Sequence, residues 1–373
     1  VSKLRVLIVD DAVVIRRIVS DVLSADPGIE VAGTAANGKI AVARIAQLNP
    51  DLVTLDVEMP EMDGLATLRE LRKTHPRLPV IMFSTLTARG ASSTLDALAA
   101  GANDYVTKPA NVGSVAVAMA RIREELIPKI KALCVKPSNT PFVPPAPAHE
   151  SAASPARTPA LLQRAKVANA AVKVVVIGVS TGGPNALAEV IPAIPAGLPV
   201  PVLIVQHMPP VFTRLLAERL DQKSAVRVHE AAAGDLLEPA TVYIAPGDFH
   251  MTIESGDEGP RIALNQNPPE NSCRPAVDVM FRSAAEVFGD RVLAVILTGM
   301  GQDGYRGAQA VREAGGSVIA QDEATSVVWG MPGAVARGGL AEQLIPLNEV
   351  ARQIAARVSR HRLGADRAVA AAR

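Results

Sequence analysis

Apolar runs alternate with helical periodicities from the start of this chain. Leu4–Val9 reads as a buried strand, and Ile15, Ile18, Val19, Val22 and Leu23 then recur at helical spacing. Further strand-like runs follow at Ile29–Ala32, Leu52–Leu55, Pro79–Phe83 and Asp104–Val106, with helical stretches between them. This alternation predicts a parallel sheet with helices on both faces, ending near Ile127-Pro128. A second unit of the same kind begins at Val172. Its strands are predicted at Val174–Gly178, Val202–Gln206, Val226–Glu230, Val242–Ala245, Val292–Leu297 and Ser317–Ala320. Its helices are predicted at Pro184–Ile191, Phe212–Leu220, Val277–Phe288, Gly304–Ala314 and Asn348–Val358.

Between the units, Lys136 to Ala160 carry seven prolines among Ala, Ser and Thr. Such a stretch buries too little apolar area to offset its own ordering, so an extended linker is expected. A short helix over Leu161–Ala171 would close it. The expected division is a first α/β domain over 1–128, a linker over 129–171, a second α/β domain over 172–358 and a polar, frayed tail over 359–373.

Composition narrows the function classes. The 373 residues are 49% hydrophobic, enough for two cores, and 38 basic against 37 acidic side chains leave a net charge of +1. That balance asks for neither nucleic acid nor an anionic membrane. Two cysteines, Cys134 and Cys273, fit a reducing compartment. No apolar run approaches ~20 residues, and Leu4–Val9 is too short for a signal peptide, so a cytoplasmic protein is expected.

The first unit gathers charge at its strand ends. Asp10-Asp11 closes the first strand, Asp56 the third, and Lys108-Pro109 follows the fifth. In a parallel sheet those carboxyl ends share one ligand-binding edge. Three carboxylates there repel unless a hard cation such as Mg²⁺ neutralises them. Asp56 can form an acyl phosphate, Lys108 can pair with the added charge, and Ser84 can hydrogen-bond a phosphoryl oxygen. Helix capping and solvated surface charge explain any one of these residues, but not all of them at strand ends.

Ser180 is the distinctive residue of the second unit. The strand Val174–Gly178 runs into Gly178-Val179-Ser180-Thr181-Gly182-Gly183-Pro184, which sets a hydroxyl on a sharp turn before a helix. A serine nucleophile needs a base, and the base an orienting acid. His207 directly follows the strand Val202–Gln206. His250, read as lying on a loop, is a second candidate, and His229 falls within a strand pattern. Asp303 follows the strand Val292–Leu297 in a glycine-rich turn. Asp278 and Asp235 are weaker alternatives, and helix capping is the bland role for Asp303. Oxyanion donors would be backbone amides near Ser180 or Met300.

Two rival motifs fit less well. A dinucleotide fingerprint lacks its second glycine, where Ser180 stands, and its acid after the second strand. The G-x-S-x-G hydrolase elbow matches 178–182, but that group orders its triad Ser, acid, His. Here the order is Ser180, His207, Asp303. Cys273 has no histidine evidently paired with it and is a poor nucleophile candidate.

Two resemblances follow from these motifs. Residues 3–127 resemble a response-regulator receiver domain through Val9-Asp10-Asp11, Leu55–Pro60, Phe83-Ser84-Thr85 and Lys108-Pro109. This implies a flavodoxin-like fold and phosphorylation of Asp56 by a histidine kinase. It also implies Mg²⁺ held by Asp11, Asp56 and the Glu58 carbonyl with Asp10 assisting, Ser84 and Tyr105 as a switch pair, and a cis bond before Pro109. Residues 172–358 resemble the catalytic domain of the CheB family of chemotaxis methylesterases. The motifs are Gly178–Pro184, Gln206-His207-Met208, Ala245–Met251, Arg274–Asp278, Thr298–Gly304 and Val328–Gly333. This implies a Rossmann-like domain that hydrolyses glutamate methyl esters, and deamidates glutamines, on the cytoplasmic domains of chemoreceptors without a cofactor. Ser180 would be the nucleophile, His207 the base, Asp303 the acid and Met300 an oxyanion donor, with Thr181 and Arg274 lining the site. The resemblance departs at Cys273, where the family often carries His. The Pro-rich linker suggests control by docking, with the unphosphorylated receiver covering Ser180.

Overall fold

The structure, a computed structural model, describes residues 3–108, 114–134 and 171–359. The expected linker over 136–160, the helix over 161–170, the tail beyond 359, the peptide bond before Pro109, and His149 and His361 lie outside these residues.

The first sheet is five-stranded and parallel in the order β2-β1-β3-β4-β5. Its strands are β1 (Leu4–Val9), β2 (Ile29–Ala35), β3 (Leu52–Asp56), β4 (Val80–Ser84) and β5 (Asp104–Thr107). The helices between them are α1 (Val13–Ser24), α2 (Gly38–Leu48), α3 (Gly64–Thr74) and α4 (Ala88–Ala99). Three starts are written in the sequence. Asn37, Asp63 and Thr87 each accept a backbone amide of the first turn they cap.

The last helix, α5 (Val115–Cys134), continues past Pro128, where the sequence pattern ended the unit. Proline there removes only the bond to the exposed Glu124 carbonyl. The next turn is held by buried Ile130 and by Lys129 and Lys131, which pair with Asp104 and Asp26.

The second sheet is seven-stranded and parallel, ordered β14-β13-β12-β6-β7-β9-β8. It comprises β6 (Val174–Val179), β7 (Val202–Gln206), β8 (Arg227–Glu230), β9 (Thr241–Ile244), β12 (Val292–Ile296), β13 (Ser317–Gln321) and β14 (Gln343–Ile345). Helices α6 (Gly183–Val190), α7 (Phe212–Asp221), α8 (Val277–Phe288), α9 (Tyr305–Glu313), α10 (Met331–Arg337) and a last helix over 350–359 cover its faces. An antiparallel hairpin, β10 (His250–Glu254) with β11 (Arg261–Asn265), stands apart from the sheet. The sequence reading missed this hairpin, β14 and α10.

The central strand β6 shows why the apolar run folds as it does. Val175, Ile177 and Val179 pack into one core cluster, Val174 and Val176 into another on the opposite face. Each fully buried Val or Ile contributes roughly 1.5–3 kcal/mol, so this strand anchors both layers. It also marks the point where the chain turns from one side of the sheet, β7, to the other, β12. In open α/β sheets such a switch point opens a crevice beyond the strand ends. Among the described residues no helix is long and apolar enough to cross a membrane.

Candidate active site

Ser180 follows β6, His207 follows β7, and Thr298–Asp303 follow β12. These three strands are neighbours, so their carboxyl ends deliver all three residues to one crevice. Glycines shape the turn after β6. Gly182 has φ +77°, and a Cβ on Gly183 would collide with Gln206 Oε1. The Gln206 amide in turn donates to Ser180 O at 3.0 Å and fixes the turn against β7. Thr298 ties the third strand end in, since its hydroxyl donates to Thr181 O at 2.9 Å. Ser180 is partly exposed.

His207 Nε2 lies 2.8 Å from Asp303 Oδ2. Asp303 is buried and accepts from the Val277, Asp278 and Gly304 amides at 2.7, 3.0 and 2.9 Å. Two of those amides open α8, so Asp303 sits at the electropositive start of that helix. Burial would raise its pKa, but His207 and these amides hold it below the usual carboxylate range. Helix capping, the bland role for Asp303, and the contact to His207 therefore coexist. Burial pulls the His207 pKa down, yet contacts with Cys273 and Asp303 outweigh it and push the value up to about 10.

The other candidates separate clearly. His250 opens a strand rather than lying on a loop, is buried, and meets Pro268 O at 3.2 Å and the Ala276 amide at 3.3 Å through its two nitrogens. That backbone engagement removes it as a base. His229 pairs with Asp235 at 3.3 Å on the exposed edge strand β8. Asp278 stands behind Asp303, joined to it through Asn271, whose amide donates to Asp278 Oδ2 at 2.9 Å and Asp303 Oδ1 at 2.8 Å. Burial beside Asp303 pushes Asp278 up to about 6.

Cys273 does have a histidine: its Sγ lies 3.5 Å from His207 Nδ1. The two are 66 positions apart, and only the turn before α8 joins them. Ser180 Oγ makes no hydrogen bond to His207 among the described residues.

Arg274 is engaged by Asp248 at 2.6 Å and by the Gln266 and Asn267 carbonyls. Met300 is half-buried, and the Thr181 and Met300 amides donate to no group among the described residues. Residues that the sequence reading missed are Gln206, Asn271, Asp104 and Phe212. Asn271 carried a weak signal, since Asn tolerates the left-handed conformation it adopts at φ +52°.

The first sheet has its own switch point between β1 and β3. Asp10, Asp11 and Asp56 bring carboxylate oxygens within 4.8 Å of one another there. Lys108 Nζ is 2.8 Å from Asp10 Oδ2 and 2.7 Å from Asp56 Oδ2. Lys108 alone neutralises these two buried oxygens among the described residues. Two such oxygens beside exposed Asp11 suit a hard cation, and a cleft of about 430 Å³ lined by Asp11, Glu58 and Arg89 opens beside them. Burial, with Asp10 adding to it against Lys108, pushes Asp56 up to about 6. The Glu58 amide points at Asp56 Oδ1 at 3.4 Å. Ser84 faces away, donating toward Gly90 O and accepting from Thr94 Oγ1 at 2.6 Å.

The two sheets meet at this crevice. Thr181 Oγ1 donates to Asp104 Oδ2 at 2.9 Å. The Tyr105 ring stacks on Phe212 with centroids 4.7 Å apart. Arg219 reaches Asp96 Oδ1 and Ser92 O, each at 2.8 Å.

Residues 175–354 match the family model described as CheB methylesterase, and residues 6–120 the response regulator receiver domain. A protein-glutamate methylesterase/protein-glutamine glutaminase of a Nocardioides species is 55% identical over 359 residues, covering 96% of each chain. A relative of the same description from Trichodesmium erythraeum is 51% identical, covering 95% of this chain and 99% of its own. The crystal structure of the Thermotoga maritima CheB methylesterase catalytic domain is 45% identical, covers 50% of this chain and 98% of its own, and gives a TM-score of 0.49.

Proposed function

The chain belongs to the protein-glutamate methylesterase/protein-glutamine glutaminase family, with a receiver domain joined to a CheB methylesterase domain, and we propose that Ser180, His207 and Asp303 perform its chemistry on chemoreceptor glutamates. The carrying observation is their convergence at the ends of β6, β7 and β12, with His207 and Asp303 2.8 Å apart.

Ser180 Oγ attacks the ester carbonyl while His207 accepts its proton through Nδ1. Asp303 receives the Nε2–H bond and stabilises the imidazolium. The Thr181 and Met300 amides, which have no acceptor among the described residues, stabilise the oxyanion. The imidazolium returns its proton to departing methanol, or to ammonia when the substrate is a glutamine. His207 then deprotonates water, which attacks the acyl-enzyme and releases the glutamate carboxylate and Ser180. The Ser180–His207 hydrogen bond forms as the substrate seats, as such bonds often tighten only in the substrate complex.

Asp56 accepts the phosphoryl group from a histidine kinase in the cytoplasm. Asp10, Asp11, Asp56 and the Glu58 carbonyl would hold Mg²⁺, which offsets charge as the phosphoryl group transfers. Lys108 pairs with the added charge, and the Ser84 hydroxyl turns from α4 toward it, with Tyr105 responding. That rearrangement loosens the receiver from the ester site. The Tyr105–Phe212 stack contributes about 0.5–1.5 kcal/mol and the half-exposed Arg219–Asp96 pair under ~1 kcal/mol. A near-complete switch needs about 5.5 kcal/mol, within reach of a phosphoryl group that breaks several such contacts together.

The test is methanol release from a methylated receptor by the full chain and Ser180→Ala, with and without a phosphodonor. Loss of turnover in Ser180→Ala is expected; retained turnover would remove Ser180 from the nucleophile role.

A further inference from the structure

Both ring nitrogens of His207 have a partner, and neither partner is Ser180. Nε2 faces Asp303 at 2.8 Å, and Nδ1 faces Cys273 Sγ at 3.5 Å. With Nε2–H given to a carboxylate, Nδ1 carries the ring lone pair, the only atom there able to take a proton from a hydroxyl. A thiol is a weak donor and yields to a hydroxyl. We propose that Cys273 is a positioning residue for the base: its sulfur holds the Nδ1 edge of His207 in the crevice until Ser180 Oγ displaces it. The inference rests on the triad reading given above.

The turn that carries Cys273 is held by several bonds and serves the acid as well. Asn271, two residues earlier, donates to Asp303 Oδ1 at 2.8 Å. Glu270 and Cys273 exchange backbone hydrogen bonds at 3.1 and 2.9 Å. Arg282 clamps Glu270 through two bonds of 2.8 and 2.6 Å. Asn271 and Ser272 both have positive φ, 52° and 62°, a shape held by these surrounding bonds. One short turn thus reaches the acid with an amide and the base with a thiol.

The pairing also has an electrical consequence. The contact with Cys273 is among those that raise the His207 pKa, and a protonated ring has no free lone pair at Nδ1. The titratable groups around the ring are Cys273 and Asp303, with Asp278, Glu270 and Arg282 beyond them. Of the contacts that lift His207, those with Cys273 and Asp303 dominate. Removing the thiol therefore frees the lone pair at lower pH but leaves the ring less well aimed.

The probe is a fluorophosphonate reacting with Ser180 in the full chain, followed across pH. Cys273→Ala should move the ascending limb about one pH unit toward acid and lower the limiting rate about tenfold. Cys273→Ser keeps a hydrogen-bonding group in place but not the sulfur contact that lifts the ring, so its limb should stay acid-shifted while the limiting rate recovers to within about threefold of wild type. A limb that stays in place in Cys273→Ala, or a limiting rate that serine does not restore, overturns the proposal. Labelling that persists in Ser180→Ala, or at the wild-type rate in His207→Gln, instead overturns the triad on which it rests.

Discussion

Thr181 Oγ1 donates to Asp104 Oδ2 at 2.9 Å, which ties the residue after Ser180 to the first residue of β5. Lys129 Nζ braces the same carboxylate oxygen at 3.0 Å. Both ends of the bond are buried, so neither is exchanged for water without moving one sheet from the other. The two domains therefore share a side-chain bond next to Ser180, the proposed nucleophile.

Asp104→Ala removes that acceptor. A hydrogen bond to a charged group contributes roughly 1.5–3 kcal/mol, so basal hydrolysis without phosphodonor should rise about tenfold. The gain on phosphorylation should shrink by a similar factor. Methanol release with and without phosphodonor measures both, and an unchanged basal rate counts against occlusion through Thr181.

The raised His207 pKa gives activity and stability opposite pH slopes. Activity needs the neutral ring, so kcat/KM should climb as pH rises toward about 10. The folded-state value lies above the ordinary imidazole value near 6.5, so the stabilisation is complete below that pH and is lost as pH rises through about 10. Melting curves of wild type and His207→Gln should converge over that window. A wild-type profile flat from pH 7 to 10 would contradict the reading.

Asp56 is raised to about 6 by burial and by Asp10. Its folded-state value exceeds the ordinary carboxylate value, so the group favours folding most below pH ~4 and costs stability as pH rises through about 6. Asp56→Asn should therefore raise stability at neutral pH by about 1–2 kcal/mol, a figure discounted for partial solvent screening. Mg²⁺ should raise the wild-type Tm more than the variant's. Equal Mg²⁺ shifts in both would remove Asp56 from the ligand set.

Gly183→Ala would place a methyl group against Gln206 and Val179. Overpacking of this kind typically costs 1–3 kcal/mol. Because Gln206 also holds Ser180 O, the variant should lose turnover as well as Tm. Normal turnover with a lowered Tm would separate the turn's stability from its alignment.

Both sheets were legible in the sequence because their central strands are buried on both faces and read as continuous apolar runs. Placing Ser180, His207 and Asp303 on one edge needed only that each follow such a run. The hairpin of β10, His250–Glu254, with β11, Arg261–Asn265, escaped notice because β11 buries only Ile262 fully and so offers a weak alternation. β14 is three residues long, with one buried, too short to show a period. Cys273 and Asn271 lie on a turn whose positive φ values leave no periodic trace. The contact from Thr181 to Asp104 spans 77 positions and joins two units that sequence patterns describe separately.

β5 is four residues long, Asp104 to Thr107, with Lys108 next. At about 3.3 Å per residue, Lys108 beside Asp56 and the acceptor of Thr181 stand one short rod apart, roughly 13 Å of hydrogen-bonded backbone. If phosphorylation governs the ester site through Thr181, the distance that matters is the length of one strand and not the length of chain between the two domains.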